Sequence, residues 1–530
     1  MASARRTLVA LIGMALIGTA LSAAGIPAAT GPADCATDTL AAVLHLPNVT
    51  VDSATPVTSG TFTPTGQPTI TGLPVFCDVD LTHTDAAGNP ISVEVWLPRN
   101  WNGRFQGVGG SGFFCGIIFN ALTPTAPGLA TGIRAGYATA STDCGHPFPD
   151  ASFALNPDDT LNRPLITDYA SAGVHDMTVD GKALTAAFYG HAARYSYFYG
   201  CSTGGRQGMD EAQRFPSDYD GIVSGAPAIN FTTMVPAEIW PALVMNASGD
   251  ALPVCKEDAF TGAVVAACDG LDGVVDGVIS DPAACRWDPH SLVGTRTPCG
   301  MITATDADVI QKIWQGPETT RGTRLWFGLE PGAPLTSLAG TVTANGATAI
   351  APFSVAVDWL GTFVQRNPGW DWHTLTFGQF DTLFAQSVRE FSPTIATNDP
   401  DLSAFGRDGG KVLIWHGLAD PQIFPQGTIA YYQAAQRVTG GTSGFARLFL
   451  APGASHCVSG AGPEPDDPLA AVVAWVEHGK APTELPATLT DPATGAVLRT
   501  RTLCAFPLVS RYIGHGDPNN ATNYTCARTF

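Results

Sequence analysis

The chain has 530 residues, 45% of them hydrophobic and 14% charged, with 58 glycines and 41 prolines. This describes a loop-rich globular protein with room for a large core and more than one folding unit, and excludes a disordered chain. A formal charge of -19 with no Lys/Arg-rich run leaves no basic surface for nucleic acid, which is excluded as a partner.

At the N-terminus, Arg5 and Arg6 precede an apolar run over 8–20, followed by the small residues Ser22, Ala23 and Ala24. A charged start, a short apolar core and a small-residue cleavage site predict a secretory signal over residues 1–29. The core is shorter than the about 20 apolar residues of a membrane span, although a retained anchor is the alternative. No other segment reads as transmembrane, so no membrane contact is expected after signal removal. Twelve cysteines in an exported chain read as a disulfide set, and no Cys/His spacing suggests zinc.

Residues 30–228 carry short β-rich runs at 93–97, 104–108, 137–142, 195–200 and 221–224, with helices predicted over 174–189 and 205–215. Strands alternating with helices predict an α/β fold with a mostly parallel sheet. From 229 to 404 this alternation stops. The stretch is rich in turns and aromatics and holds four cysteines, and it reads as a large lid inserted over the sheet. Its tryptophans and phenylalanines would offer flat apolar walls to a ligand. Residues 405–530 resume the core, with strands at 411–415 and 447–450. An amphipathic helix follows, carrying Leu469, Val472, Val473 and Val476 at one-face spacing.

Gly200-Cys201-Ser202-Thr203-Gly204 has the Gly-x-Ser-x-Gly pattern of a nucleophile elbow, where a strand turns sharply into a helix and lifts the serine hydroxyl. Ser202 then needs a base and an orienting carboxylate. Asp420 stands in the loop leaving strand 411–415 and His456 in the loop after strand 447–450, which completes the order Ser, Asp, His with each residue at a strand end. The Thr203 backbone N–H is one expected oxyanion donor, and Gly109 or Gly110 of the Gly107–Gly112 run the other. An ordinary flexible loop is the alternative for that run. In the insertion, the run from Cys268 to Cys285 spaces aspartates with glycines. That pattern suits a hard cation such as calcium, although it is no EF-hand and three Asp-Gly turns without metal would read the same way.

Gly200-Cys-Ser-Thr-Gly-Gly-Arg-Gln-Gly, Trp415-His-Gly-Leu-Ala-Asp-Pro and Ser455-His-Cys resemble the tannase/feruloyl esterase family, which includes the bacterial mono(2-hydroxyethyl) terephthalate hydrolase. The likeness runs from about Cys35 to Cys526. It implies an α/β-hydrolase fold with a lid and a secreted serine esterase for esters of aromatic acids such as gallate or ferulate. The triad would be Ser202, Asp420 and His456, with a Cys201–Cys457 bridge. It also implies structural calcium held by Asp269, Asp272 and Asp276 with the carbonyls of Val274 and Val278, the loop closed by Cys268–Cys285. His416 matches a pocket-lining position of the family, with a loop-capping histidine as the alternative. Cys115 and Cys144 depart from the family pattern and are expected to bridge each other. Cys255 is left for Cys299, and Cys35–Cys77 and Cys504–Cys526 complete six bridges. Gly110 and Ser111 also depart from the family's usual Asn-Gly, which leaves the second oxyanion donor open.

The function expected is therefore cleavage of small aromatic esters through an acyl-enzyme. The alternatives are another triad hydrolase (lipase, peptidase, polyester or terephthalate-ester hydrolase) and a non-catalytic calcium-stabilised binding protein on the same scaffold.

Overall fold

Nine strands make the central sheet of the computed structural model, which describes residues 34–64, 67–117 and 128–529. The expected signal segment lies outside the described residues. In chain order the strands are β1 (Val49–Val57), β2 (Phe76–Thr84), β3 (Pro90–Pro98), β4 (Arg104–Val108), β5 (Ala138–Thr142), β6 (Tyr195–Cys201), β7 (Gly221–Gly225), β8 (Lys411–Gly417) and β9 (Ala446–Ala451). Across the sheet they run β1-β2-β3-β5-β4-β6-β7-β8-β9. The first four neighbours pair antiparallel and the rest, from β5 to β9, pair parallel.

Burial explains which strands were legible. Strands β5 and β7 are buried at every residue, and β4 and β8 at all but the first, as expected where helices cover both faces of a parallel sheet. Tyr197, Val223, Leu413 and Trp415 pack into one apolar cluster, whereas their strand neighbours Phe198, Ile222, Val412 and Ile414 pack into another on the opposite face. The antiparallel edge strand β1 has mostly solvated positions and includes Asp52, Ser53 and Pro56, so its sequence carries no continuous apolar signal. It was not predicted. The antiparallel pair Glu484–Thr490 and Val497–Cys504 near the C-terminus was missed for the same reason.

The helices that flank the sheet include α1 (Gly173–Tyr189), α2 (Thr203–Arg214), α3 (Pro425–Val438) and α4 (Pro468–His478). Strands β7 and β8 are hydrogen-bonded neighbours, with Gly221 opposite Lys411, although 185 residues separate them in sequence. The intervening insertion is mainly helical, with helices at Phe231–Ala237, Trp240–Ser248, Val254–Cys268, Ala304–Gln315 and Phe377–Ile395. Helix Trp240–Ser248 is buried continuously from Trp240 to Met245, so it lacks the one-faced periodicity by which a helix is recognised. Among the described residues no helix is long and apolar enough to cross a membrane.

All twelve cysteines are paired, as Cys35–Cys77, Cys115–Cys144, Cys201–Cys457, Cys255–Cys299, Cys268–Cys285 and Cys504–Cys526. These are the six expected pairs.

Candidate active site

Ser202 stands between the end of β6 and the start of α2 with φ 64° and ψ -125°, a conformation non-glycine residues rarely adopt. The flanking glycines make the turn possible. A Cβ on Gly200 would lie 2.4 Å from the Gly204 carbonyl, and one on Gly204 would lie 2.9 Å from the carbonyl oxygen of Gly110. The strain persists because the surroundings fix it: Ser202 N–H donates to the Gly225 carbonyl (3.1 Å) and Gly204 N–H to that of Gly110 (2.9 Å).

The two residues after Ser202's own turn anchor the helix that carries it. Arg206 is fully buried and donates to the carbonyls of Ala170 (2.7 Å) and Tyr169 (3.0 Å), with its guanidinium over the rings of Tyr169 and Phe231. Gln207 accepts the Gly110 N–H on Oε1 (2.9 Å) and donates to the Cys115 carbonyl (3.3 Å).

His456 donates from Nδ1 to Asp420 Oδ2 at 2.7 Å. The Cys201–Cys457 bridge, Cα–Cα 6.0 Å, ties the residue after His456 to the residue before Ser202. Asp420 is fully buried, yet its other oxygen accepts the backbone N–H groups of Gln422 (2.8 Å) and Ile423 (2.9 Å). Burial alone would raise its pKa. The charge of His456 and hydrogen bonds from His416 and His456 outweigh that and hold the carboxyl well below the usual carboxylate range.

The geometry bears on two further expectations. His416 is wholly buried and is not among the residues that line the cavity with Ser202, which agrees with the alternative of a loop-capping histidine. Its Nε2 faces two acceptors, Asp420 Oδ2 and the Ile423 carbonyl (3.2 Å each), so it must donate, while Nδ1 meets Thr428 Oγ1 at 2.9 Å. It fastens the Asp420 loop. Gly109 and Gly110 are also unsuited as oxyanion donors, since the Gly109 N–H is taken by the Tyr199 carbonyl (3.2 Å) and the Gly110 N–H by Gln207. Thr203, the first residue of α2, has no carbonyl one turn back to take its N–H, which leaves that donor available.

Ser202 and Thr203 open onto a cavity of 290 Å³. Its walls include Phe113 from the core and Phe231, Met234, Val235, Phe353 and Val355 from the insertion. Phenylalanines are present as expected, but tryptophans are not: Trp359, for example, is fully buried in the core. One acid also reaches the cavity, Glu238, which is 1% exposed and pushed well above the ordinary glutamate pKa by burial and then by the Asp420 carboxylate. Sequence reasoning missed it, although it is the only charged residue between Phe231 and Met245. Among the described residues, larger cavities of 460, 430 and 360 Å³ contain neither Ser202 nor His456.

The expected calcium loop is closed by Cys268–Cys285. Asp269 is buried and accepts the N–H groups of Asp276 (3.0 Å), Gly277 (2.8 Å) and Val278 (3.3 Å), while Asp272 accepts that of Val274 (2.9 Å). Asp276 meets Arg501, and Arg499 at 3.5 Å; burial, opposed by these arginines, raises its pKa, and Asp269 and Asp272 add to the rise. The oxygen-only donor set fits a hard cation in kind. Among the described residues, however, the carboxylates are not gathered within 4.8 Å as ligands of one ion would be. His175, Glu211 and Asp218 are, and there His175 Nδ1 bonds Asp218 at 2.6 Å in a network joining α1, α2 and the loop before β7.

The sheet order, the strained serine after β6 and the paired Asp420 and His456 after β8 and β9 define an α/β-hydrolase. The chain belongs to the family described as tannase and feruloyl esterase, whose match spans residues 77–527. It is 43% identical over 469 residues to a probable feruloyl esterase of Arthroderma benhamiae, covering 86% of each chain. It is 33% identical over 528 residues to the mono(2-hydroxyethyl) terephthalate hydrolase of Piscinibacter sakaiensis, covering 86% of this chain and 85% of that one. The crystal structure of feruloyl esterase B from Aspergillus oryzae superimposes with a TM-score of 0.81 at 28% identity, covering 93% of this chain and 99% of that one.

Proposed function

We propose that the protein is an exported serine carboxylesterase that cleaves esters of phenolic acids, such as ferulate or gallate, through an acyl-enzyme. The observation that carries this reading is the 2.7 Å His456–Asp420 bond, tied to the Ser202 turn through Cys201–Cys457. Ser202 Oγ attacks the ester carbonyl as its proton passes to His456 Nε2, and the imidazolium then gives that proton to the leaving alcohol. Asp420, held ionised, stabilises the imidazolium. Water, deprotonated by His456, releases the acid and restores the serine. The Thr203 N–H stabilises the oxyanion, and Gly112, which lines the cavity beside Ser202, supplies the second backbone donor.

The 290 Å³ cavity walled by phenylalanines suits one aromatic ring better than a polymer or a long acyl chain. The insertion over 229–404 acts as the lid that shapes it. Six disulfides agree with an oxidising compartment. Calcium bound by Asp269, Asp272 and Asp276, with the carbonyls of Val274 and Val278, would brace the lid and takes no part in the chemistry. A fluorophosphonate should label Ser202, and methyl ferulate or methyl gallate should be hydrolysed. No labelling of the folded protein, or cleavage confined to long-chain acyl or peptide substrates, would overturn this reading.

A further inference from the structure

The cavity beside Ser202 is lined mainly by apolar side chains, with the polar Ser111 and Gln422 and one acid whose chemistry the reaction does not use. Glu238 follows the last residue of helix Phe231–Ala237 and lines the cavity together with Ser202, Phe231 and Met234. It is 1% exposed, and among the described residues its Oε2 has no hydrogen-bond partner. A buried carboxyl oxygen without a partner costs about 1–3 kcal/mol, a cost that a hydrogen-bond donor on an entering ligand would remove.

We propose that Glu238 determines specificity by hydrogen-bonding a phenolic hydroxyl on the ring of the bound ester. This rests on the esterase reading of Ser202 and deepens it. The surroundings decide which ligand group fits. A carboxylate or phosphate on the ligand would be repelled by Asp420 and find no cation among the residues lining the cavity. A ligand ammonium would leave water for a cavity walled by Phe113, Phe231, Phe353 and Val355, at a cost that a single carboxyl does not offset. A neutral hydroxyl on a flat apolar ring satisfies both the walls and the carboxyl. The protonation state follows: burial and the nearby Asp420 charge raise the Glu238 pKa. A neutral carboxyl can both accept the phenolic proton and donate its own. Glu238 thus selects for hydroxylated rings in the way a buried polar group rejects an analogue that leaves it unpaired.

The test uses two substrate pairs differing only in ring hydroxyls, methyl p-coumarate against methyl cinnamate and methyl gallate against methyl benzoate. The wild type should prefer the hydroxylated member of at least one pair by about tenfold or more in kcat/KM. Glu238→Leu should bring that ratio close to one, chiefly through a higher KM for the hydroxylated ester. Glu238→Gln, which keeps an acceptor, should retain part of it. Unchanged fluorophosphonate labelling of Ser202 shows that a variant has folded, and if the Leu variant does not fold, the ratio in the Gln variant decides. An equal loss on both members of a pair, or an unchanged ratio, overturns the role of Glu238 while leaving the esterase intact. A wild type that cleaves none of the four esters overturns the esterase reading itself, and this proposal with it.

Discussion

Replacing Cys201 and Cys457 together with alanine tests whether the bridge holds the reactive turn as well as the fold. The bridge spans 256 residues, and closing a loop of that length removes about 5 kcal/mol of unfolded-chain entropy. The Cys255–Cys299 bridge lies inside the loop and shortens it by 44 residues, which changes the logarithm little. The catalytic effect has a different origin. Ser202 and Cys457 both sit at positive φ, 64° and 62°, and such backbone costs of order 1–3 kcal/mol per residue and persists only where its surroundings impose it. Without the bridge the Ser202 and Gly204 backbone hydrogen bonds hold the turn alone, and its relaxation by that amount corresponds to about a 10- to 100-fold loss in kcat. Far-UV circular dichroism should change little, because the sheet and its two apolar faces do not depend on the bridge. Urea unfolding and initial rates, taken well below the variant's melting point, separate the two effects. Wild-type kcat in the folded double variant would refute the positioning role, and a stability loss under about 1 kcal/mol would refute the loop-closure estimate.

His416→Ala should lower kcat about tenfold with KM unchanged, because His416 bonds Asp420 and does not line the cavity; a raised KM with unaltered kcat would return it to the substrate pocket. Stability should peak at about pH 5. Asp420 has a depressed pKa, so its contribution is complete above the ordinary aspartate value and is lost as pH falls below it. Burial, with Asp80 and Asp85 adding repulsion, raises Asp78 and Asp168 to about 7. Burial with Asp258 raises Glu257 to about 8, and burial with Asp281 raises Glu330 to about 7. Those four favour the folded state while protonated, and that advantage disappears as pH rises from the ordinary carboxylate range through about 8, so a Tm that climbs steadily from pH 5 to 8 would contradict the assignment. Adding calcium should raise Tm and a chelator should lower it, by about 3 kcal/mol of stability at a hundredfold excess over Kd; a Tm indifferent to both would remove the metal.

The amino-acid sequence by itself determined the parallel half of the sheet, the elbow and the order of Ser202, Asp420 and His456. Each of these is written in a few neighbouring residues: unbroken apolar runs for strands buried on both faces, and Gly200 and Gly204 where no Cβ fits. The six cysteine pairs followed from family likeness and from the cysteines left over, not from local pattern. Only the tertiary structure decided what each polar group meets. Gln207 takes the N–H of Gly110 from 97 positions away and so removes an expected oxyanion donor. His416 turns inward to Asp420 as a loop-capping histidine, a choice its position in the sequence left open, and Arg501 reaches Asp276 across 225 positions. Glu238 stands in an apolar run whose sequence gives no sign that one of its faces lines a cavity. Local conformation is set by steric limits and burial over a few residues. The partner of a buried donor or acceptor is set by chain segments distant in sequence, which only the completed fold brings together.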